Sequence, residues 1–145
     1  MNILLEEKSI FMSTFIIIVD IVLIVIILAF VAVWLWNKIQ AKRLGNGDLT
    51  NEEFNQGMRK AQIVDLREKE PFKRKHIDGA RNLPYTMMKY QYSELRPDLP
   101  VYLYSDSLSV TLRAARFLQK KNFSSIKWLK NGFDEWDGRT KSSKY

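Results

Sequence analysis

The chain has 145 residues, with 23 Lys plus Arg against 16 Asp plus Glu, a formal charge of +7, one His and no Cys. The lack of Cys excludes disulfides and every thiol mechanism, and with a single His it excludes the usual zinc sites. The basic excess admits either nucleic acid or an anionic membrane surface as a partner.

Residues 1–10 form a short extension with Glu6, Glu7 and Lys8. Residues 11–36, FMSTFIIIVDIVLIVIILAFVAVWLW, hold one charge, Asp20. About 20 apolar residues cross the hydrocarbon core, and this run is long enough with some tilt. Its apolar residues fall on every face, so no amphipathic stripe marks a surface helix. Trp34 and Trp36 close the run, where indole rings favour the headgroup zone. A cleaved signal peptide would have a basic start, a shorter apolar core and a small-x-small cleavage site. The acidic start and the lack of a clean cleavage motif after the Trp pair favour an uncleaved transmembrane helix.

Lys38, Lys42 and Arg43 follow the span, against Lys8 before it. Lys and Arg stay preferentially on the cytoplasmic side. The expected topology is a single pass through the plasma membrane, with the N-terminus outside and the C-terminal part in the cytoplasm. Asp20 lies too deep to be a rim residue. A carboxylate in hydrocarbon costs about 2.5–3.5 kcal/mol on insertion scales. Two readings stay open for it: a contact with another membrane helix, in a homo-oligomer or a heteromeric complex, or a protonated acid tolerated by a very apolar helix.

Residues 1–36 hold one Lys and three acids, so residues 37–145 carry 22 basic and 13 acidic residues, a net +9. There is no nucleic-acid motif and no aromatic-basic interleaving of the stacking type. A solvated basic surface beside the lipid bilayer is the expectation, and nucleic acid is not expected. NFS at 122–124 fits a glycosylation acceptor, which a cytoplasmic placement makes irrelevant.

Residues 37–47 read as the end of the helix, NKIQAKRL, and a linker, GNGD, that breaks it. A domain of residues 48–140 and a tail of 141–145 follow. Thr50 with Glu53 three residues later predicts a capping-box helix start. AQIVDL, 61–66, predicts a buried strand. EKEPFKRK predicts a helix of one to two turns, with Pro71 in its first turn. Asp78-Gly79 predicts a turn before a short extended piece. YTMMKYQYSEL predicts a helix stopped by RPDLP. VYLY, 101–104, is the second clear strand. SVTLRAARFLQKKN places Val110, Ala114, Phe117 and Leu118 at helical spacing. SIKWL predicts a third strand, and NGFDEW opens a final short helix. Strands alternating with helices give an α/β domain, a small parallel sheet with helices on both faces and one core.

Three of these stretches, in order, resemble the rhodanese-like domain family. VDLREKEPFKRKHIDGARNLP is similar to its Asp-x-Arg, His-Ile-x-Gly-Ala and Asn-x-Pro elements. VYLYSDSLSVTLRAARFLQKKNF resembles its strand, active-site loop and following helix, and IKWLKNGFDEW its closing strand and Gly-Phe-x-x-Trp element. The resemblance covers about residues 48–137. It implies sulfur transfer through a Cys persulfide, cradled by loop backbone N–H groups at a helix N-terminus.

The resemblance places Ser105 where the family has that Cys, at the head of a six-residue loop, Ser105, Asp106, Ser107, Leu108, Ser109 and Val110. A serine cannot form a persulfide, because sulfur transfer needs a low-pKa thiolate. Asp106 would repel an anionic substrate. Leu108 and Val110 stand where active loops carry Gly and Arg, and no Lys or Arg lies between 105 and 111. The loop therefore has the form of a sulfurtransferase site without its nucleophile, and no catalytic residue, metal or cofactor is expected. Ser105 as a hydrolase nucleophile helped by Asp106 is poor machinery without a base. Both residues are instead expected to cap the following helix. Asp65 and Arg67 are expected to brace the site by pairing with each other or with loop backbone. The resemblance implies a structural His76 that bonds backbone near the Gly79 turn. Phe133 and Trp136 read as core aromatics, and Lys73, Arg74 and Lys75 as a solvated helix face, with lipid headgroups as the alternative.

Three functions follow as expectations. One is a catalytically silent, membrane-anchored binding or regulatory module for a protein partner or small ligand. The second is an active sulfurtransferase or related enzyme of the superfamily. The third is a structural subunit of a membrane complex.

Overall fold

In this computed structural model, Asn2–Arg43 forms one continuous helix, α1. The structure describes residues 2–43 and 45–144, with backbone alone for residues 40–43. The flanking charges Lys42 and Arg43, and Leu44 at the expected helix end, thus fall outside the described side chains. Every α1 residue from Asn2 to Trp36 is exposed, and the helix is long and apolar enough to cross a membrane. Ser13 and Thr14 turn their hydroxyls inward, donating to the Ile10 carbonyl at 3.0 and 2.7 Å. Lys38 lies 5.1 Å from the Trp34 ring.

The chain divides into two compact units, Met1–Lys38 and Ile39–Tyr145. The second begins with β1 (Asp48–Leu49) and α2 (Asn51–Gly57). Thr50 caps α2 as its sequence predicts: Oγ1 accepts from Glu53 N–H and Glu53 returns a bond to Thr50 N–H. A 3-10 turn, Met58–Lys60, leads into β2 (Gln62–Asp65). Then come α3 (Lys69–Arg74), β3 (His76–Ile77) and β4 (Arg81–Asn82).

The stretch expected as one helix after Pro84 is instead a broken coil. A 3-10 turn at Tyr85–Met87, α4 (Met88–Gln91) and a 3-10 turn at Tyr92–Glu94 share it. Met88 and Leu95 of this stretch are buried in the core, and Tyr85 and Tyr92 pack against it. β5 (Val101–Tyr104), α5 (Leu108–Lys120), β6 (Ile126–Leu129), a 3-10 turn at Phe133–Glu135 and β7 (Thr140–Lys141) complete the chain.

Five strands form one parallel sheet in the order β1-β6-β5-β2-β4. Alternate residues face opposite sides, as a strand's period of two requires. Val64, Leu103 and Trp128 join Leu112 and Leu118 of α5 in one cluster. Ile63, Tyr104 and Leu129 join Phe54 of α2 in the other. Helices thus cover both faces. β3 and β7, each two residues long, pair antiparallel beside this sheet. The pairing draws Thr140 and Lys141 into the fold.

Candidate active-site loop

Parallel strands carry their following loops at one edge of the sheet, and adjacent strands bring those loops together. β5 ends at Tyr104 and α5 begins at Leu108, so the turn proper is Ser105–Ser107. The second half of the expected six-residue loop is the first turn of α5. Val110 consequently packs against the main core cluster.

Ser105 is 6% exposed. Its Oγ accepts from Ser107 N–H at 3.2 Å, and its carbonyl accepts from Phe133 N–H at 3.2 Å. The expected capping role is corrected by this geometry. Ser107 is the N-cap residue of α5 and its side chain makes no capping bond. Ser105 closes a turn before the helix starts, a local bond typical of Ser in loops. Asp106 caps nothing; its half-exposed carboxylate lies 4.0 Å from Arg67 Nη1.

β6 neighbours β5, and the residues after it form the facing wall. A pocket of about 150 Å³ is lined by Ser105, Asp106, Leu108 and Thr111 on one side and by Leu129, Lys130, Asn131 and Gly132 on the other. Gly132 holds φ at +75°, and a Cβ there would stand 3.0 Å from the Ser105 carbonyl oxygen. Only Gly takes this conformation and approach without strain.

Asp65 and Arg67 pair as expected. Arg67 Nη2 lies 2.7 Å from Asp65 Oδ2, and Arg67 N–H donates to Asp65 Oδ1 at 2.9 Å. Nη2 also donates to the Lys75 carbonyl at 2.6 Å. Asn82 Nδ2 donates to the Arg67 carbonyl at 2.8 Å. The guanidinium carbon lies 3.9 Å from the Phe133 ring centroid. Tyr104 stands behind this group, its hydroxyl oxygen accepting from Ile77 N–H at 3.1 Å. Burial, then the charge of Asp65, pushes the Tyr104 phenol far above its ordinary value, so it stays neutral.

The sequence model of the rhodanese-like domain matches residues 50–139, most of the folded unit. The chain belongs to the rhodanese-like domain family. It is 38% identical over 125 residues to the uncharacterized protein YqhL of Bacillus subtilis (strain 168), a match that covers 86% of this chain and 98% of that one. It is similar in structure to the Alr3790 protein from Anabaena sp., with a TM-score of 0.60 and 22% identity over 65% of this chain and 81% of that one. A thiosulfate sulfurtransferase from Pseudomonas aeruginosa gives a TM-score of 0.60 and 24% identity over 67% of this chain and 20% of that one. At such identities the two structures establish the fold.

Within this rhodanese-like frame, His76 departs from its expected partner. Its Nδ1 donates to the Phe72 carbonyl at 2.7 Å, and its ring stacks on Phe72 at 3.9 Å. It closes the C-terminal end of α3 instead of the Gly79 turn. Gly79 takes φ +88° there without touching the His76 ring's bond. Neither residue lines the pocket. Phe133 and Trp136 are half-buried: Phe133 stacks on Tyr104, and Trp136 meets Phe54 edge-on.

The loop lacks internal cations, but Lys130 supplies one from the opposite wall, beside Asn131. These two residues escape a reading confined to positions 105–111. The signal for them is their place just after the strand that neighbours β5. Burial holds Asp106 above the ordinary carboxylate range against the pull of Arg67, with Asp134 and Asp65 adding to the rise. No cluster of three metal-ligating side chains occurs among the described residues.

Proposed function

We propose that this chain is a membrane-anchored rhodanese-like module that binds at its loop pocket and does not relay sulfur. The observation that carries the reading is Ser105: buried at the head of α5, hydrogen-bonded within its own turn, in a chain without a single Cys. A Ser alkoxide at this place has no base to form it, since His76 is bonded to Phe72 and Tyr104 is a neutral phenol. The pocket has room for one side-chain-sized group. Lys130 and Asp106 on opposite walls suit a group that carries both a donor and an acceptor.

The apolar helix supports the anchor. The match to YqhL is longer than the folded unit and so extends into α1. Lys38, Lys42 and Arg43 after the span, against Lys8 before it, support a cytoplasmic domain. Asp20, the one charge inside the span, suits a contact with a second membrane helix.

The reading is tested with Ser105→Cys in the full chain, assayed for thiosulfate-to-cyanide sulfur transfer. No turnover is expected, because Asp106 still faces the incoming anion. Turnover equal to that of an active family member would show that the loop is otherwise intact and that only the thiol is missing.

A further inference from the structure

The charges of the folded unit are sorted along the strand axis. Because all five strands run parallel, the segments that precede them share one end of the sheet. Three of those segments are hydrogen-bonded side by side: Gln62 N–H donates to the Pro100 carbonyl at 2.8 Å, and Val101 N–H to the Ser125 carbonyl at 2.9 Å. They bring exposed Arg59 and Lys60 before β2, Arg96 before β5, and Lys120 and Lys121 before β6 to this end. A polar groove of about 450 Å³ opens between Arg59 and Arg139, with Asn55 and Gln56 on its wall. Of the carboxylates at this end, Asp98 pairs with Arg96 at 2.6 Å, and Asp78, on the groove wall, with Lys141 at 2.8 Å and Arg139 at 3.6 Å, while Asp48 is exposed at the start of β1.

The opposite end, where the loops leave the strands, is richer in acids: Glu52, Glu53, Glu68, Asp106, Asp134 and Glu135 are exposed there, against Lys69 and Lys130. A uniformly solvated domain would not require this separation.

We infer that the basic end of the sheet is a docking surface for anionic lipid headgroups. The inference rests on the proposed membrane anchor. Charge complementarity selects the occupant: the exposed cations Arg59, Lys60, Lys120 and Lys121, with a groove edged by Arg59 and Arg139, fit phosphate esters, and an anionic leaflet presents them at high density. The acidic end with the Ser105 pocket is then left to solution partners.

The test reconstitutes the full chain into zwitterionic vesicles and into vesicles with anionic phospholipid, then maps lysine acylation by mass spectrometry. Lys60, Lys120 and Lys121 are expected to react about fivefold more slowly in anionic vesicles. Lys130, at the other end, serves as the unchanged control. High salt is expected to abolish the difference, because exposed charges are screened beyond a few ångströms. Equal reactivity in both vesicle types, in a chain that resists alkaline extraction, overturns the docking surface and leaves the anchor standing. Extraction of the chain from both vesicle types overturns the anchor itself. Protection by soluble inorganic phosphate in zwitterionic vesicles, equal to that by anionic lipid, would assign the surface to a free anion and overturn the lipid assignment.

Discussion

The Arg67 guanidinium lies 3.9 Å from the centroid of the Phe133 ring while its Nη2 sits 2.7 Å from Asp65 Oδ2. One side chain thus ties the end of β2 to the turn after β6. Asp65 is fully buried, so removing its partner strands a charge. Arg67→Ala is expected to destabilise the folded unit by about 3–5 kcal/mol. Arg67→Lys keeps the charge but loses the fork and the stacking, and is expected to fall between the two. Urea unfolding monitored by the buried Trp128 measures both.

Gly132 lines the wall of the pocket that faces Ser105. A Cβ at φ +75° is strained, and it would press on the Ser105 carbonyl at 3.0 Å. Gly132→Ala is expected to cost about 1–2 kcal/mol and to weaken the Phe133 N–H bond to Ser105. The stability is read by thermal unfolding, and the bond by slower or faster exchange of the Phe133 amide; faster exchange is expected.

Asp78 is held below the ordinary carboxylate range, first by its hydrogen bond from Lys141, then by the charges of Lys141 and Arg139. A depressed carboxyl favours the fold when ionised. Its contribution is therefore present at neutral pH and is lost as the pH falls through the lowered folded value. The β3–β7 pair is expected to keep its cross-strand nuclear Overhauser contacts between His76 and Lys141 at neutral pH and to weaken them as the pH falls below the ordinary carboxylate range. Asp78→Asn is expected to remove this pH dependence.

Asp20 is the sole carboxylate between Phe11 and Trp36. If it meets a second membrane helix, Asp20→Leu lowers association of the full chain in the bilayer, read by fluorescence transfer between labelled copies and by crosslinking in native membranes. Unchanged association in both measurements contradicts the contact.

The strands at 62–65, 101–104 and 126–129 were legible because each is a short apolar run buried on both faces, and Thr50 with Glu53 spelled its own helix start. β1, β3 and β7 were not legible. Two residues carry no periodicity, and partners such as Trp128 and Thr140 lie far along the chain. The candidate site was half legible. Ser105, Asp65 and Arg67 sit in motifs, whereas Lys130 and Asn131 reach the pocket only because β6 lies beside β5. The resemblance implies a backbone partner for His76 but does not fix which one; the partner is the carbonyl of Phe72, four residues before it at the end of α3, because the ring stacks on Phe72.

The absence of sulfur relay is tested most directly by the intact mass of the wild-type chain after incubation with excess thiosulfate. The mass is expected to stay that of the unmodified polypeptide. A gain of one sulfur atom, released again by cyanide, would contradict the account.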